Sequence, residues 1–500
     1  MKYLYLVTAL LILGSCEKEL ELEAPSELTV AGFWDSENGA RAAHTGLYGS
    51  FRSTNFTQWL LGGIRSDMWG GQTFESPANV ELIESNFTVS TAPFGGWAGL
   101  YNEIHQVNDF LLNVPNIEFD SEADKQHMLG QAYGIRAMYY YTLLKTWGAV
   151  PISTEPLATT DPQGLSKPRA PQSEVMALIK SDIQASLDAF GSDGSFWLNK
   201  RVYWSKAATL ALKGDVYIWS GTLLGGGDAD YTEARNALQE VASLDVELVP
   251  NFADLWSVDN ENNKEFIFAA QYEKDEALNY YGLMTGRTTE IQPQFNSDGN
   301  PMSDFIVNGA NRYGPSEKTL ILIDDNLDTR KKSSFTRLYT DDNGGAGYPN
   351  YAPGPYFGSV IKKYDGTIDG SIRIMDNDIP IYRYADVLLL LAEAKNLLGE
   401  DPSVEINQIR ERAYGENYDA ATYGFTMGSE AQNTETILEE RYKEFIAEGK
   451  RWWDLRRAGD SYVIDNVPFL SAGEEYKLLL PITLDMIGRN PMLEQTPGYN

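Results

Sequence analysis

Five hundred residues carry 40 Lys+Arg against 71 Asp+Glu, a net charge of −31 at pH 7. That balance excludes nucleic acid, whose phosphates need a basic footprint, and electrostatic docking on anionic lipid. The length allows a large core without staples, and the single cysteine forbids a disulfide within the chain.

Lys2 precedes an apolar run over residues 3–13, interrupted by Thr8. The run is shorter than the roughly 20 residues of a membrane-spanning helix and fits a secretory signal peptide over 1–15. Leu13-Gly14-Ser15-Cys16 then looks like a bacterial lipobox, which predicts lipidation at Cys16. Two or more acyl chains anchor a protein stably, and no second run approaches the length of a span, so this anchor is the only membrane contact expected. Residues 16–30 read as the lipidated Cys and an acidic tether, with Glu17, Glu19, Glu21 and Glu23.

Helical periodicity predicts helices over 34–51, 94–114, 122–147, 171–190 and 231–244, and one capped by Ser205 that ends before Gly221. Residues 53–93 hold Gly62-Gly63, Gly70-Gly71, Pro77 and Pro93 and read as loops and short strands. Residues 250–378 are similarly irregular around a strand-like 265–269. Residues 382–398 are apolar nearly all round, a buried helix, with 404–413 as its partner. In 434–459, Leu438, Tyr442, Phe445, Gly449 and Trp452 share one helix face. Thr436 and Glu439 suit a capping box, and Gly459 suits a left-handed stop. A glycine at 449 inside a helix suggests another backbone passing close. The fold class expected is mainly α: paired helices in a tetratricopeptide-like scaffold, with an irregular loop-rich lobe carrying short strands. Residues 31–500 are expected to form a single unit. Its scaffold covers about 31–52, 94–248 and 380–500, and its lobe about 53–93 and 249–379. No repeat of about 34 residues is legible.

Glu440-Arg441, Glu444, Glu448-Gly449, Arg451, Asp454-Leu455 and Arg457 resemble the C-terminal signature of the SusD/RagB family, nutrient-uptake lipoproteins of Bacteroidetes. Further matches fall at Trp97, Tyr101, Ile104 and Asn108, at Arg136-Ala137 with Tyr139 to Tyr141, at Asp328-Thr329-Arg330 and Lys363-Tyr364. Tyr384-Ala385-Asp386-Val387-Leu388, Ala392-Glu393-Ala394 and the closing Pro497-Gly498-Tyr499 complete them. The order of these fragments along one chain is more specific than any of them. The resemblance implies a non-catalytic protein, lipid-anchored at the outer membrane and facing outward. Such a protein binds oligosaccharide and passes it to a SusC-type TonB-dependent transporter. The acidic tether is similar to surface-export signals of that phylum. Residues 53–93 and most of 270–360 match nothing, and the family places its ligand loops where it varies.

The chain lacks the G-x-S-x-G, G-x-x-x-x-G-K-[ST] and H-E-x-x-H patterns. His44, His105 and His127 are scattered and read as helix-face residues rather than metal ligands, so neither metal nor cofactor is expected. Paired carboxylates for glycoside hydrolysis stay open, because 71 acids offer many pairs and sequence gives no distances. A sugar site wants an exposed ring beside hydroxyl partners. Aromatics make up 12% of the chain, including 11 Trp and 29 Tyr, and their large area with a polar tip suits such platforms. In 62–74, Trp69 is the expected stacking platform, with Arg65 and Asp67 as its partners. Tyr280, Tyr281 and Tyr313, and the cluster Tyr348, Tyr351 and Tyr356, are further candidates; Trp452 and Trp453 are expected to be structural. Rival readings are a binder of peptide or another non-glycan nutrient, a glycoside hydrolase and a protein-holding scaffold.

Overall fold

In a computed structural model, residues 30–70, 79–90, 96–157, 161, 165–307, 309, 313–342 and 353–499 are described. Cys16, the signal sequence, most of the tether, Tyr348 and Tyr351 lie outside the described residues.

Helix α1, Glu37–Gly63, is capped by Ser36, whose Oγ accepts from Gly39 N at 3.3 Å. It buries Ala40, His44, Leu47 and Phe51, then continues through the stretch expected to be loop. Gly62-Gly63 is a contact, not a breaker. A Cβ at Gly62 would lie 1.9 Å from the Gly449 carbonyl oxygen and 2.4 Å from Trp453 Nε1. The remaining principal helices of the N-terminal half are α2 (Ala98–Asn113), α3 (Glu122–Trp147), α4 (Gln172–Phe190), α5 (Lys206–Leu223) and α6 (Gly227–Val241). Ser205 caps α5 as expected, accepting from Ala208 N at 3.2 Å. That helix runs past Gly221, whose missing side chain admits Tyr231: a Cβ there would be 2.3 Å from the ring. Consecutive helices pack in pairs, α1 on α2, α3 on α4 and α5 on α6.

The second half enters through β1 (Phe266–Ala270), β2 (Phe295–Asn296), β3 (Phe335–Asp341), β4 (Pro353–Ile361), β5 (Thr367–Asp369), β6 (Ile372–Ile374) and β7 (Ile379–Arg383). They form three small antiparallel sheets, β1-β7, β2-β3-β4 and β5-β6. From β7 the chain passes straight into the buried helix α7, Tyr384–Leu397, which packs on α5, α6, α8 (Ser403–Tyr414) and α9 (Glu430–Glu444). The architecture is mainly α with short strands.

The helix expected over 434–459 is two. α9 begins at a capping box of Ser429 and Gln432, not at Thr436 and Glu439. It ends before Phe445, and α10 resumes over Arg451–Ala458. Between them Ala447 and Gly449 adopt φ of 62° and 72°, the left-handed region that ends a helix. The turn is held from outside: Trp59 Nε1 donates to the Ala447 carbonyl at 2.6 Å. A Cβ at Gly449 would approach Trp59 Cα to 3.0 Å, so the close backbone approach expected at this glycine exists, although the continuous helix does not.

Candidate functional site

The structure places all six expected ligand residues in the core, which corrects the reading of Arg65, Asp67 and Trp69 as an exposed sugar platform. Trp69 is 1% exposed, edge-on to Trp59, Tyr313 and Phe335 at 5.7, 6.3 and 6.4 Å. Gly70, at φ 90°, does turn the backbone, but the ring points inward. Arg65 is fully buried, its guanidinium 4.0 Å from the centre of the Trp452 ring, and it donates to the Lys477 and Leu478 carbonyls. Asp67 accepts from Arg451 at 2.9 and 3.0 Å and from Lys318 at 2.6 Å. Burial alone would raise its carboxyl; Arg451, then Lys318, outweigh burial and hold it below the usual range. Tyr281 donates to the Ile361 carbonyl at 2.7 Å, and Tyr313 accepts from Asn79 Nδ2 at 2.7 Å. Both are core residues.

Tyr356 is half-buried and meets Tyr339 edge-on at 6.0 Å. His44 and His127 are joined through Gln131 at 2.7 and 2.8 Å, and His105 accepts from Leu157 N at 3.1 Å. Among the described residues no group of three or more His, Cys, Asp or Glu could hold a metal.

Tyr280 is also in the core, at 7% exposure, but its ring borders open space. It lines an open cleft of about 470 Å³ between α1 and the segment 272–283. Arg52, Ser53 and Phe56 share one face of α1 and form one wall. Leu278 and Leu283, 49% and 39% exposed, and Met375 form the other. Phe56 is half-buried, stacked 6.0 Å from Trp59 and tilted 5.0 Å from Tyr280. Asn279 pins the segment: its amide donates to the Met375 carbonyl at 2.7 Å, and its Nδ2 to the Tyr364 and Asn377 carbonyls. Arg52 donates to the Gln271 carbonyl at 3.2 Å and to Glu276 at 2.7 Å. The cleft thus offers an aromatic ring, aliphatic walls and a charged rim, the composition of a small-ligand site. Sequence reasoning missed Phe56 because 53–63 was read as loop. The i, i+1, i+4 spacing of Arg52, Ser53 and Phe56 was the available signal.

Glu261 and Asp378 form a second cluster, the Asp378 amide donating to Glu261 Oε1 at 2.7 Å. Burial pushes the Asp378 carboxyl up to about 7, with Glu273 adding to it and Lys200 and Arg52 opposing it. Burial, then Asp378, Glu273 and Asp376, push Glu261 up to about 8. Both acids hold protons in the folded state that the unfolded chain releases at lower pH. Their contribution to stability is therefore present in acid and lost as pH rises from about 4 through 8. Glu261→Gln is expected to raise the melting temperature more at about pH 8.5 than at about pH 5; equal shifts at both would contradict the assignment.

A family model described as "SusD family" matches residues 255–499, and one described as "Starch-binding associating with outer membrane" matches 55–218. NanU of B. fragilis is 36% identical, covering 95% of this chain and 100% of its own, at a TM-score of 0.86. The chain belongs to the SusD/RagB family. A SusD superfamily protein from Bacteroides vulgatus is 35% identical over 93% of this chain and 100% of its own, at a TM-score of 0.84. SusD-like protein P38 of Formosa agariphila is 28% identical over 98% of this chain and 96% of its own.

In this SusD/RagB protein the signature residues make buried ion pairs. Arg383 binds Glu265 and Glu444 at 2.6 Å and Glu448 at 2.9 Å. Arg412 joins Glu444 and Glu265, and Lys363 joins Glu448 at 2.8 Å. Arg330 pairs with Asp328, Glu440 and Glu444 at 2.7, 3.2 and 3.4 Å. Arg457 gathers Glu393, Asp454 and Asp215 at 2.8, 3.0 and 3.1 Å. The cluster around Glu444 ties Asp328, Arg330 and Lys363 of the irregular region to α8 and α9, and a separate cluster around Arg441 and Arg457 joins α7, α9 and α10. Among the described residues no helix is long and apolar enough to cross a membrane.

Proposed function

We propose that this protein is a non-catalytic surface lipoprotein, anchored through Cys16 at the outer membrane and facing outward. It captures oligosaccharide in the α1 cleft and hands it to a SusC-type TonB-dependent transporter. The observation that carries the binding role is the half-exposed Phe56 ring, walled by Leu278, Leu283 and Met375 with Arg52 at the rim. Sugars present apolar C–H faces and a hydroxyl border, and a ring with aliphatic walls fits the first while a charged rim fits the second. The family model named for starch binding supports the ligand class. The anchor and the outward orientation rest on Leu13-Gly14-Ser15-Cys16 and the acidic tether. The transporter partnership rests on family membership.

The binder is favoured over the hydrolase. Glu261 and Asp378, the acids with carboxyls raised to about 8 and 7, do not line the cleft, so neither reaches a glycosidic bond held there. The test is calorimetric titration of the soluble chain with a panel of neutral and acidic oligosaccharides, followed by chromatography of each mixture. Saturable binding with every oligosaccharide intact is expected. Cleaved products would move the protein to the hydrolases, and binding only of peptides would replace the ligand class.

A further inference from the structure

A second void lies directly behind the cleft. It measures about 100 Å³ and is lined by residues of α1, α3, β7, α7 and the α9–α10 turn. Its lining carries more charge than the cleft's. Thr142, Lys145, Asp215, Arg441 and Arg457 all reach it. Phe56 faces only the outer cleft and Trp59 only the inner chamber, while Tyr280 lines both. The Tyr280 ring, 5.0 Å from Phe56 and 6.0 Å from Trp59, is part of the partition between them.

Among the described residues, two cations lining the chamber keep donors without acceptors. The Lys145 side chain is 8% exposed and makes no ion pair or hydrogen bond among the described residues. Its ammonium rests 4.1 Å from the Tyr141 ring and 4.8 Å from the Trp453 ring. Arg441 Nη2 binds Asp386 at 3.0 Å and Asp454 at 2.8 Å, but its Nε and Nη1 have no acceptor. Asp215 is already taken by Arg457, Tyr141 and Tyr382. Buried donors left without acceptors are costly, so an occupant supplying oxygens stabilises this chamber.

We propose that the chamber is the inner compartment of the ligand site. Tyr280 is its gate, and it takes the hydroxyl-bearing end of the bound oligosaccharide against Lys145. This rests on the reading of the cleft as a glycan site. Apolar walls outside grip sugar faces, and the inner charges supply the hydroxyl partners that those walls lack. Hydroxyls fit because each offers acceptor lone pairs with one donor, meeting these donors and the free Asp454 Oδ2 alike. The chamber has room for about three waters at ~30 Å³ each, and displacing the Tyr280 ring joins it to the cleft. Nothing polar holds the ring in place: its hydroxyl makes no hydrogen bond among the described residues, and the flanking Leu278 and Leu283 are exposed.

The experiment reads Lys145 by reductive methylation with formaldehyde and cyanoborohydride, followed by peptide mass spectrometry. Burial, against the pull of Asp215, brings this amine down to about 8, so it is reactive near neutral pH once reached. Tyr280→Ala is expected to speed methylation of Lys145 about tenfold or more, by the scale on which an interior group gains access when its cover is removed. Tyr280→Leu, which keeps apolar bulk, should do so in part and guards against an unfolded variant. A saturating oligosaccharide from the panel should protect Lys145 in the unaltered chain. Lys145→Met should weaken that ligand about tenfold, one lost charged hydrogen bond, with its melting temperature kept. An oligosaccharide that binds yet leaves Lys145 methylation and Lys145→Met affinity unchanged overturns the inner compartment and spares the cleft. Unchanged methylation in both Tyr280 variants overturns the gate. No binding by any oligosaccharide overturns the glycan reading and this inference together.

Discussion

Glu444→Ala is expected to cost about 3–5 kcal/mol of folding stability, the scale for removing one partner of a buried ion pair. The side chain is wholly buried and lies between three guanidinium groups, Arg383 at 2.6 Å, Arg412, and Arg330 at 3.4 Å. Burial by itself would raise its carboxyl; Arg412, Arg383 and Arg330 reverse that and hold it far below the ordinary range. The sign follows. A depressed acid contributes stability above its unfolded value of about 4.5 and loses it as pH falls. Urea denaturation should therefore show the largest deficit near neutral pH and a shrinking one below about pH 4. Arg489→Ala, which opens a surface pair 80% and 62% exposed, should change stability by less than about 1 kcal/mol. A Glu444→Ala loss as small as that would mean that the network does not hold the fold.

Trp69→Ala is expected to cost about 3–5 kcal/mol through the cavity left by a buried ring. Trp59, Tyr313 and Phe335 surround it, and they are large, mutually packed rings with little freedom to collapse inward. A fall in melting temperature with ligand affinity retained, in whatever fraction stays folded, is the expected result. An unchanged melting temperature with lost binding would restore Trp69 to the ligand site and contradict the packing described here.

The reversal at Trp69 shows what sequence could and could not carry. Helices such as Glu122–Trp147 and Tyr384–Leu397 were legible because period and end signals are local. Gly62-Gly63 was misjudged because glycine has two uses. As a breaker it acts locally; as a contact its partner sits hundreds of residues away, here Gly449 against Gly62 and Trp59. Whether an aromatic ring faces solvent is equally non-local. Asp67 and Arg65 looked like hydroxyl partners, yet their own partners are Arg451, Lys318 and the Lys477 and Leu478 carbonyls. Of the six, Tyr280 reaches a void that opens to solvent. The signature residues, by contrast, were recognisable in sequence as a family pattern, and the structure buries them in separate ion-pair clusters around Glu444, Arg457 and Asp67.

Phe56→Ala tests the central claim most directly. Phe56 is half-buried, so its loss should lower stability far less than loss of Trp69. Without the ring, the cleft keeps its aliphatic walls and loses its stacking surface. Titration with the oligosaccharide that binds tightest should show affinity weakened about tenfold, near 1.4 kcal/mol, the upper part of the range for an aromatic contact. A melting curve recorded on the same sample should shift only slightly. Undiminished affinity in a folded Phe56→Ala protein would contradict the placement of the glycan site in this cleft.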